Sequence, residues 1–326
     1  MTSTIDPTTD APAAVAPLAS DPDGLLAGER RVQVGDVEIA YQSFGDPTHP
    51  PVLLVMGLGT QMVGWPEDLI RDLAAAGHHV IRYDNRDMGG STHLDHLPMP
   101  NVPDLRKILF GRQQPAYRLD DMADDCLGLI DALGLDRVHL VGVSMGGFIS
   151  QTAVLKDPTR FRSLTLIMTS TGSKKVGKPS LATLRGFMTQ RSATSVEETI
   201  DHALETYRAI GSPGFPFDEP YLRRKAEISF ERGTGDNEGQ ARQLAASIAQ
   251  PNRTPRLAQL DLPTLVLHGL SDPVVNPSGG LALAKTIKGA KFVGYAGMGH
   301  DLPRPLWPDM AREMNAHFAR ADATEA

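Results

Sequence analysis

The tightest constraint in this chain is five residues long: Gly142-Val143-Ser144-Met145-Gly146. Residues 137–141 before it read Arg-Val-His-Leu-Val, a short β-branched run that suits a buried strand. Residues 147–156 after it have helical spacing, with Phe148, Ile149, Thr152, Ala153 and Leu155 offered to one broad side. A serine between a strand and a helix, flanked by glycines, belongs to a turn that forces an unfavourable backbone angle on it. Larger flanking side chains would strike the neighbouring strand and helix. Such a turn lifts the hydroxyl to the end of the strand, where it is presented to a cleft. A glycine-rich turn with an incidental serine is the alternative, and the strand and helix on either side weigh against it.

Around this turn, strand and helix signals alternate. Expected strands cover residues 31–34, 37–44, 51–55, 79–83, 137–141, 164–168, 263–267 and 290–295, with Gly35-Asp36 turning the first pair into a hairpin. The spacing predicts helices over 65–76, 119–133, 280–288 and 308–319. The second is the strongest, with Met122, Ala123, Cys126, Ile130 and Leu133 on one face. This pattern predicts an α/β fold with a mostly parallel eight-stranded sheet and helices on both faces. Between residues 170 and 260 the alternation stops. Helical pieces at 180–190, 195–207, 220–230 and 240–249, joined by Gly/Pro loops, read as a helical cap inserted between two strands. The expected division is a disordered leader at 1–28, a core at 29–170 and 261–320, a cap at 171–260 and a tail at 321–326.

Composition narrows the class. The chain of 326 residues is 41% apolar and 22% charged, as an ordinary globular protein is, and its net charge of -7 argues against nucleic acid as a partner. Cys126 is the single cysteine, so no intrachain disulfide can form, and its helical position marks it as a small core hydrophobe. No run approaches the length of a membrane span. The first residues lack the charged and apolar regions of a secretory signal, which points to the cytoplasm. Monomer and homodimer both remain open.

A serine hydroxyl attacks poorly unless a base takes its proton and a third group orients that base. On a sheet of this kind the acid and the histidine follow the serine in the chain, each after a strand. After residues 263–267 the chain reads His268-Gly269-Leu270-Ser271-Asp272-Pro273, which makes Asp272 the acid; an Asx-turn with Pro273 is its structural alternative. Residues 169–172 offer no carboxylate. After the last strand, Ala296-Gly297-Met298-Gly299-His300 supplies His300 in a glycine-flexed loop, and none of the other nine of ten histidines combines order with placement. The backbone N–H groups of Met145 and of Leu58, in Met56-Gly57-Leu58-Gly59, are the candidate oxyanion donors. His93-Leu94-Asp95-His96 lacks the further partners of a metal site, and no G-x-G-x-x-G follows a strand, so neither metal nor cofactor is expected.

These residues resemble the serine α/β-hydrolase family over nearly all of 30–318. The likeness rests on the turn at Ser144, on Asp272 and His300, and on Asp84-Asn85-Arg86-Asp87-Met88-Gly89-Gly90-Ser91, which looks like the family's D-x-R-G-x-G-x-S loop. Asp87 stands where a glycine is usual, and Met56 where many members have histidine. Both departures, with Gly64-Trp65-Pro66, look like the branch that contains aclacinomycin methylesterase. That branch implies hydrolysis of a carboxylic methyl ester on a polyketide, without cofactor, and Arg86 as a loop anchor. The expected activity is cleavage of a carboxylic ester, methyl ester or lactone, of a small to medium hydrophobic molecule through an acyl-enzyme. Phe215, Phe217 and Met188 would roof the pocket, and Trp65 fits either the cleft wall or the core. Lactonase, thioesterase, carbon–carbon hydrolase and cofactor-free haloperoxidase chemistry remain alternatives on this fold. So does a small-molecule receptor with little turnover.

Overall fold

Eight strands join in one sheet in the order β1-β2-β4-β3-β5-β6-β7-β8. They are β1 Arg30–Val34, β2 Val37–Phe44, β3 Pro51–Val55, β4 His79–Tyr83, β5 Val138–Val143, β6 Phe161–Ile167, β7 Thr264–Gly269 and β8 Lys291–Tyr295. The first two form the hairpin and run antiparallel, and β2 is also antiparallel to β4; all later pairings are parallel. The computed structural model describes residues 28–180, 183, 193–233 and 237–323. Residues 1–27 of the expected leader, Met188 with most of the helix expected over 180–190, and residues 324–326 lie outside the described residues.

The order of strands decides where a cleft can open. From β3 the chain turns to one side to make β4, whereas β5 lies on the other side of β3. The loops leaving β3 and β5 therefore diverge at their carboxyl ends, where ligands of open α/β sheets bind. Alternation along the buried strands sorts side chains into two cores. Leu53 and Val55 pack with Met122, Cys126, Ile130 and Ile149 on one face. Val52 and Leu54 pack with Leu69, Leu73, Met310 and Phe318 on the other. Helices α3 Leu119–Ala132 and α4 Met145–Lys156 thus cover the first face, with α9 Ser278–Thr286. Helices α1 Glu67–Ala75 and α10 Trp307–Ala323 cover the second.

Three details differ from the sequence expectation. Helix α1 starts at Glu67, not at Trp65, because Pro66 holds Trp65 extended at φ −67°, ψ 129°. A further helix, α2 Val102–Leu109, is closed by a capping box in which Asn101 and Asp104 exchange side-chain and backbone hydrogen bonds. The expected tail is still helix at its start: Ala321 is buried, and Asp322 pairs with Arg162 at 3.0 Å.

Between β6 and β7 the described residues form α5 Val196–Ile210, α6 Glu219–Glu231, α7 Asn237–Ile248 and the short α8 Thr254–Leu257. Buried charges tie this insertion to the sheet. Arg232 reaches Asp84 at 2.6 Å and Glu29 at 3.0 Å. Arg242 makes two bonds of 2.9 Å to Asp87, and both side chains are fully buried. The unusual Asp87 is thereby explained. Its φ of 67° is the left-handed region that a glycine would fill, and its carboxylate is the counter-ion of the inserted helix.

Two expected outcomes follow from these buried charges. Asp87→Gly keeps the backbone geometry but strips Arg242 of its main partner. Asp95 and Glu238, each 3.6 Å away, compensate in part. Urea unfolding should show a loss of about 3 kcal/mol, much of it recovered in Asp87→Gly with Arg242→Met. Separately, burial pushes the His317 imidazole down to about 4, and His139, stacked on Phe318, down to about 3. The unfolded chain protonates both near pH 6.5, so stability is complete above that pH and drains as pH falls toward 4. At pH 5 each should cost about 2 kcal/mol, read as a fall in urea midpoint.

Candidate active site

Ser144 occupies the turn from β5 into α4 with φ 54° and ψ −117°. A conformation so sparsely populated persists only where surrounding packing fixes it. Here the fixing contact is a close approach. A Cβ on Gly146 would lie 2.2 Å from the carbonyl oxygen of Val55 and 2.7 Å from that of Met56. The first turn of α4 thus rests directly on the end of β3. The serine amide remains in the sheet, donating to the Ile167 carbonyl at 2.9 Å.

Asp272 and His300 complete a hydrogen-bonded chain with this serine. His300 Nε2 lies 3.0 Å from Ser144 Oγ, and Nδ1 lies 2.8 Å from Asp272 Oδ2. Both alternatives for Asp272 are realised in one side chain, because Oδ1 makes the turn while Oδ2 faces the imidazole. Oδ1 accepts from the amides of Val274 at 2.8 Å and Val275 at 2.9 Å. These bonds fix the carboxylate plane. His268 Nε2 stands 3.6 Å from the same Oδ2, but it donates to the Val275 carbonyl at 2.8 Å, and burial lowers its pKa. It therefore stays neutral beside the carboxylate.

The histidine loop is less free than its glycines led us to expect. The amide of His300 donates to the Ile210 carbonyl at 2.8 Å, and that of Gly299 to Ser212 Oγ at 2.9 Å. A Cβ on Gly299 would sit 2.2 Å from the Gly211 carbonyl oxygen. The glycine serves close backbone approach, and the end of α5 sets where the imidazole stands. Ser212 also donates to Asp301, whose carboxyl burial raises in pKa. Sequence reasoning missed Ile210 and Ser212, which meet the His300 loop only through the fold, and Asp301, whose role shows only once Ser212 stands beside it.

Met145 opens α4, so its N–H is one of the amides that the helical ladder leaves unused, at the positive end of the helix dipole. Leu58 lies in the turn after β3, and both Gly57 and Leu58 line the same cleft as Ser144 and His300. A Cβ on Gly57 would be 3.3 Å from that of Ser144, which places the two turns in contact. The cleft holds about 330 Å³; Met56, Leu58 and Met168 from the sheet side face Tyr207, Phe217 and Leu222 from the insertion. Of the other expected lining residues, Phe217 is there, with the Arg208 guanidinium over its ring. Trp65 is not: it is fully buried among Leu69, Leu73 and Met310, because the extended Pro66 junction turns it inward. Phe215 packs half-buried against that same core rather than on the cleft. Arg86 anchors its loop, with bonds of 2.6 Å from Nε and Nη2 to the two oxygens of Asp125. Among the described residues no three His, Cys, Asp or Glu side chains gather as a metal site, and no helix is long and apolar enough to cross a membrane.

Residues 50–303 match the family model described as alpha/beta hydrolase fold. This chain belongs to that family. A rhodomycin D methylesterase of Streptomyces sp. (strain C5) is 30% identical over 312 residues, 90% of this chain and 98% of its own length. The likeness to the methylesterase branch read from Met56 and Asp87 agrees with this relative. The 3-oxoadipate enol-lactonase 2 of Acinetobacter baylyi is 26% identical over 77% of this chain and 82% of its own length. Among solved structures, the 2-hydroxy-6-oxo-6-phenylhexa-2,4-dienoate hydrolase of Rhodococcus sp. strain RHA1 superposes with a TM-score of 0.67 at 23% identity. It covers 89% of this chain and 98% of its own, and shows the shared fold.

The contact between α4 and β3 gives a direct test. Gly146→Ala forces its methyl into two carbonyl oxygens, so α4 must lift and Ser144 must move. Thermal denaturation should show a melting point several degrees lower, consistent with overpacking of about 1–3 kcal/mol or more. Reaction of the serine with a fluorophosphonate should slow in the same variant.

Proposed function

We propose that this protein is a serine hydrolase that cleaves a carboxylic ester, methyl ester or lactone, of a small to medium hydrophobic molecule. The observation that carries this reading is the chain Ser144 Oγ, His300, Asp272 at 3.0 and 2.8 Å, beside a cleft that mixes apolar walls such as Met56, Leu58 and Met168 with polar groups such as Gln240 and Arg304. His300 Nε2 takes the hydroxyl proton as Ser144 Oγ attacks the acyl carbon. Asp272 keeps Nδ1 protonated and stabilises the imidazolium that forms. The amides of Met145 and Leu58 donate to the oxyanion, in a site where the α4 dipole already favours negative charge. His300 then hands its proton to the leaving alcohol, the carbon–oxygen bond breaks, and the serine carries the acyl group. A water molecule, deprotonated by the same imidazole, attacks the acyl-enzyme and releases the acid and Ser144. No step needs a cofactor.

The similarity to a methylesterase and to an enol-lactonase supports an oxygen ester, open or cyclic, as the bond cleaved. Methionine, leucine and aromatic walls support an apolar acyl or alkyl portion, with the inserted helices as its cap. A receptor on the same fold would bind such a molecule without turning it over. Three measurements separate the readings. A fluorophosphonate should label Ser144 alone, as located by peptide mass spectrometry. Ser144→Ala should abolish saturable release from p-nitrophenyl butyrate. Asp272→Asn should lower kcat by about 10⁴-fold while the protein stays folded, because the imidazole then loses its productive tautomer. Tight ligand binding with no labelling at Ser144 would favour the receptor.

A further inference from the structure

We propose that Gln243, on the inserted helix α7, is a positioning residue for the oxyanion loop, so that catalytic rate depends on how the insertion is seated. The inference rests on the serine-hydrolase reading above and concerns a residue remote from the triad in sequence. The loop from Met56 to Thr60 is a turn in which the Thr60 amide donates to the Gly57 carbonyl at 3.4 Å. Gly59 sits in it at φ 63°, a left-handed angle that makes the turn compact. The donor assigned to the oxyanion, the Leu58 N–H, belongs to the peptide between Gly57 and Leu58. The peptides on either side of it are both pinned by side chains from elsewhere. The Met56 carbonyl accepts from Asn85 Nδ2 at 3.0 Å, and the Gly59 amide donates to Gln243 Oε1 at 3.0 Å.

Gln243 is itself fixed at its other end. Its Nε2 donates to the Arg86 carbonyl at 2.9 Å, and its side chain is fully buried. Its neighbour Arg242 holds Asp87 with two bonds of 2.9 Å. One turn of α7 therefore grips the Asp84–Ser91 loop through Arg242 and bridges that loop to the oxyanion turn through Gln243. Asn85 closes the same circuit from the core side. A buried amide with both ends satisfied is rigid, and a rigid acceptor at Gly59 fixes the plane of the preceding peptides. An oxyanion donor must stand within a few tenths of an ångström of its place, and displacement by about 1 Å can cost up to 10²-fold in rate.

The test compares two substitutions whose packing and hydrogen-bonding consequences run in opposite directions. Gln243→Met preserves shape and burial but removes the acceptor for Gly59. Gln243→Glu keeps an acceptor for Gly59 but loses the donor to the Arg86 carbonyl and places a charge in a buried site. A purely structural role predicts that Gln243→Glu is the damaged variant. The positioning role predicts the reverse for catalysis. In Gln243→Met, kcat on p-nitrophenyl butyrate should fall by about 10- to 100-fold with KM within threefold, and Gln243→Glu, which keeps the Gly59 acceptor, should retain more of the rate than Gln243→Met. Affinity for a trifluoromethyl ketone, which forms an oxyanion on the serine, should fall with kcat, while affinity for the product acid stays constant. Gln243→Asn, which withdraws the amide by one methylene, serves if Gln243→Met does not fold. Wild-type kcat and trifluoromethyl ketone affinity in a folded Gln243→Met overturn the inference. Unchanged turnover in Ser144→Ala would instead overturn the serine-hydrolase reading, so the two failures are distinct.

Discussion

The site depends on one constraint, the contact between the first turn of α4 and the carboxyl end of β3. Gly146 meets the carbonyls of Val55 and Met56 there with no room for a side chain. This contact holds Ser144 at a positive φ that no ordinary helix start would select. It also sets the distance between the two backbone amides assigned to the oxyanion, one at the start of α4 and the other just beyond β3. The proposed nucleophile and oxyanion donors are consequently not separate features that happen to meet. Both lie at the carboxyl ends of the neighbouring strands β3 and β5, where the strand order reverses.

Above this rigid base, directional polar contacts hold the insertion in place as well as apolar ones. Arg232 with Asp84 and Glu29, and Arg242 with Asp87, are buried ion pairs. Lys225, pushed down to about 7 by burial, donates to the carbonyls of Val63 and Trp65 and contacts Glu67 at 3.4 Å. Such pairs add little net stability, since desolvation offsets much of their attraction. Their geometry, however, admits few alternative seats. A helix resting on leucines alone can slide by part of a turn at small cost, whereas Arg242 cannot leave Asp87 without separating two fully buried opposite charges. The family position normally held by glycine has here been used to add that restraint.

Much of this was legible in the chain. The strand at 51–55 was read to the residue because a continuous apolar run bounded by turn residues admits few other placements, and the strand at 79–83 was matched as well. Ser144, Asp272 and His300 could be named from their order along the sheet, and the coordinates place them in one hydrogen-bonded chain. Other features were hidden for identifiable reasons. Trp65 is apolar enough for cleft or core, and only the extended backbone before Pro66 turns it inward. Phe215 and Phe217 are two residues apart in the same loop, yet one packs on the core and the other lines the cleft. Helix α2 did leave a trace, Asn101 three residues before Asp104 with Pro103 between them, but it is only eight residues long and buries little beyond Ile108. Gln243 left none, because its partners Gly59 and Arg86 lie more than 150 residues away.

The insertion also takes part in holding His300, the proposed base. Backbone contacts between residues 210–214 and the His300 loop, at Ile210 with His300 and at Gly214 with Gly297, are too close for side chains to intervene. A change of loop length there would move the imidazole away from Ser144, whatever it did to the pocket. The same holds for α7 at Arg242 and Gln243. On the proposed reading, variation in substrate choice falls to positions that face the cleft without packing into a core, such as the exposed Phe217. On the proposed reading specificity and catalysis share one insertion, and the hydrogen bonds at residues 210–214 and 242–243 divide it into a part that must stay and a part that is free to change.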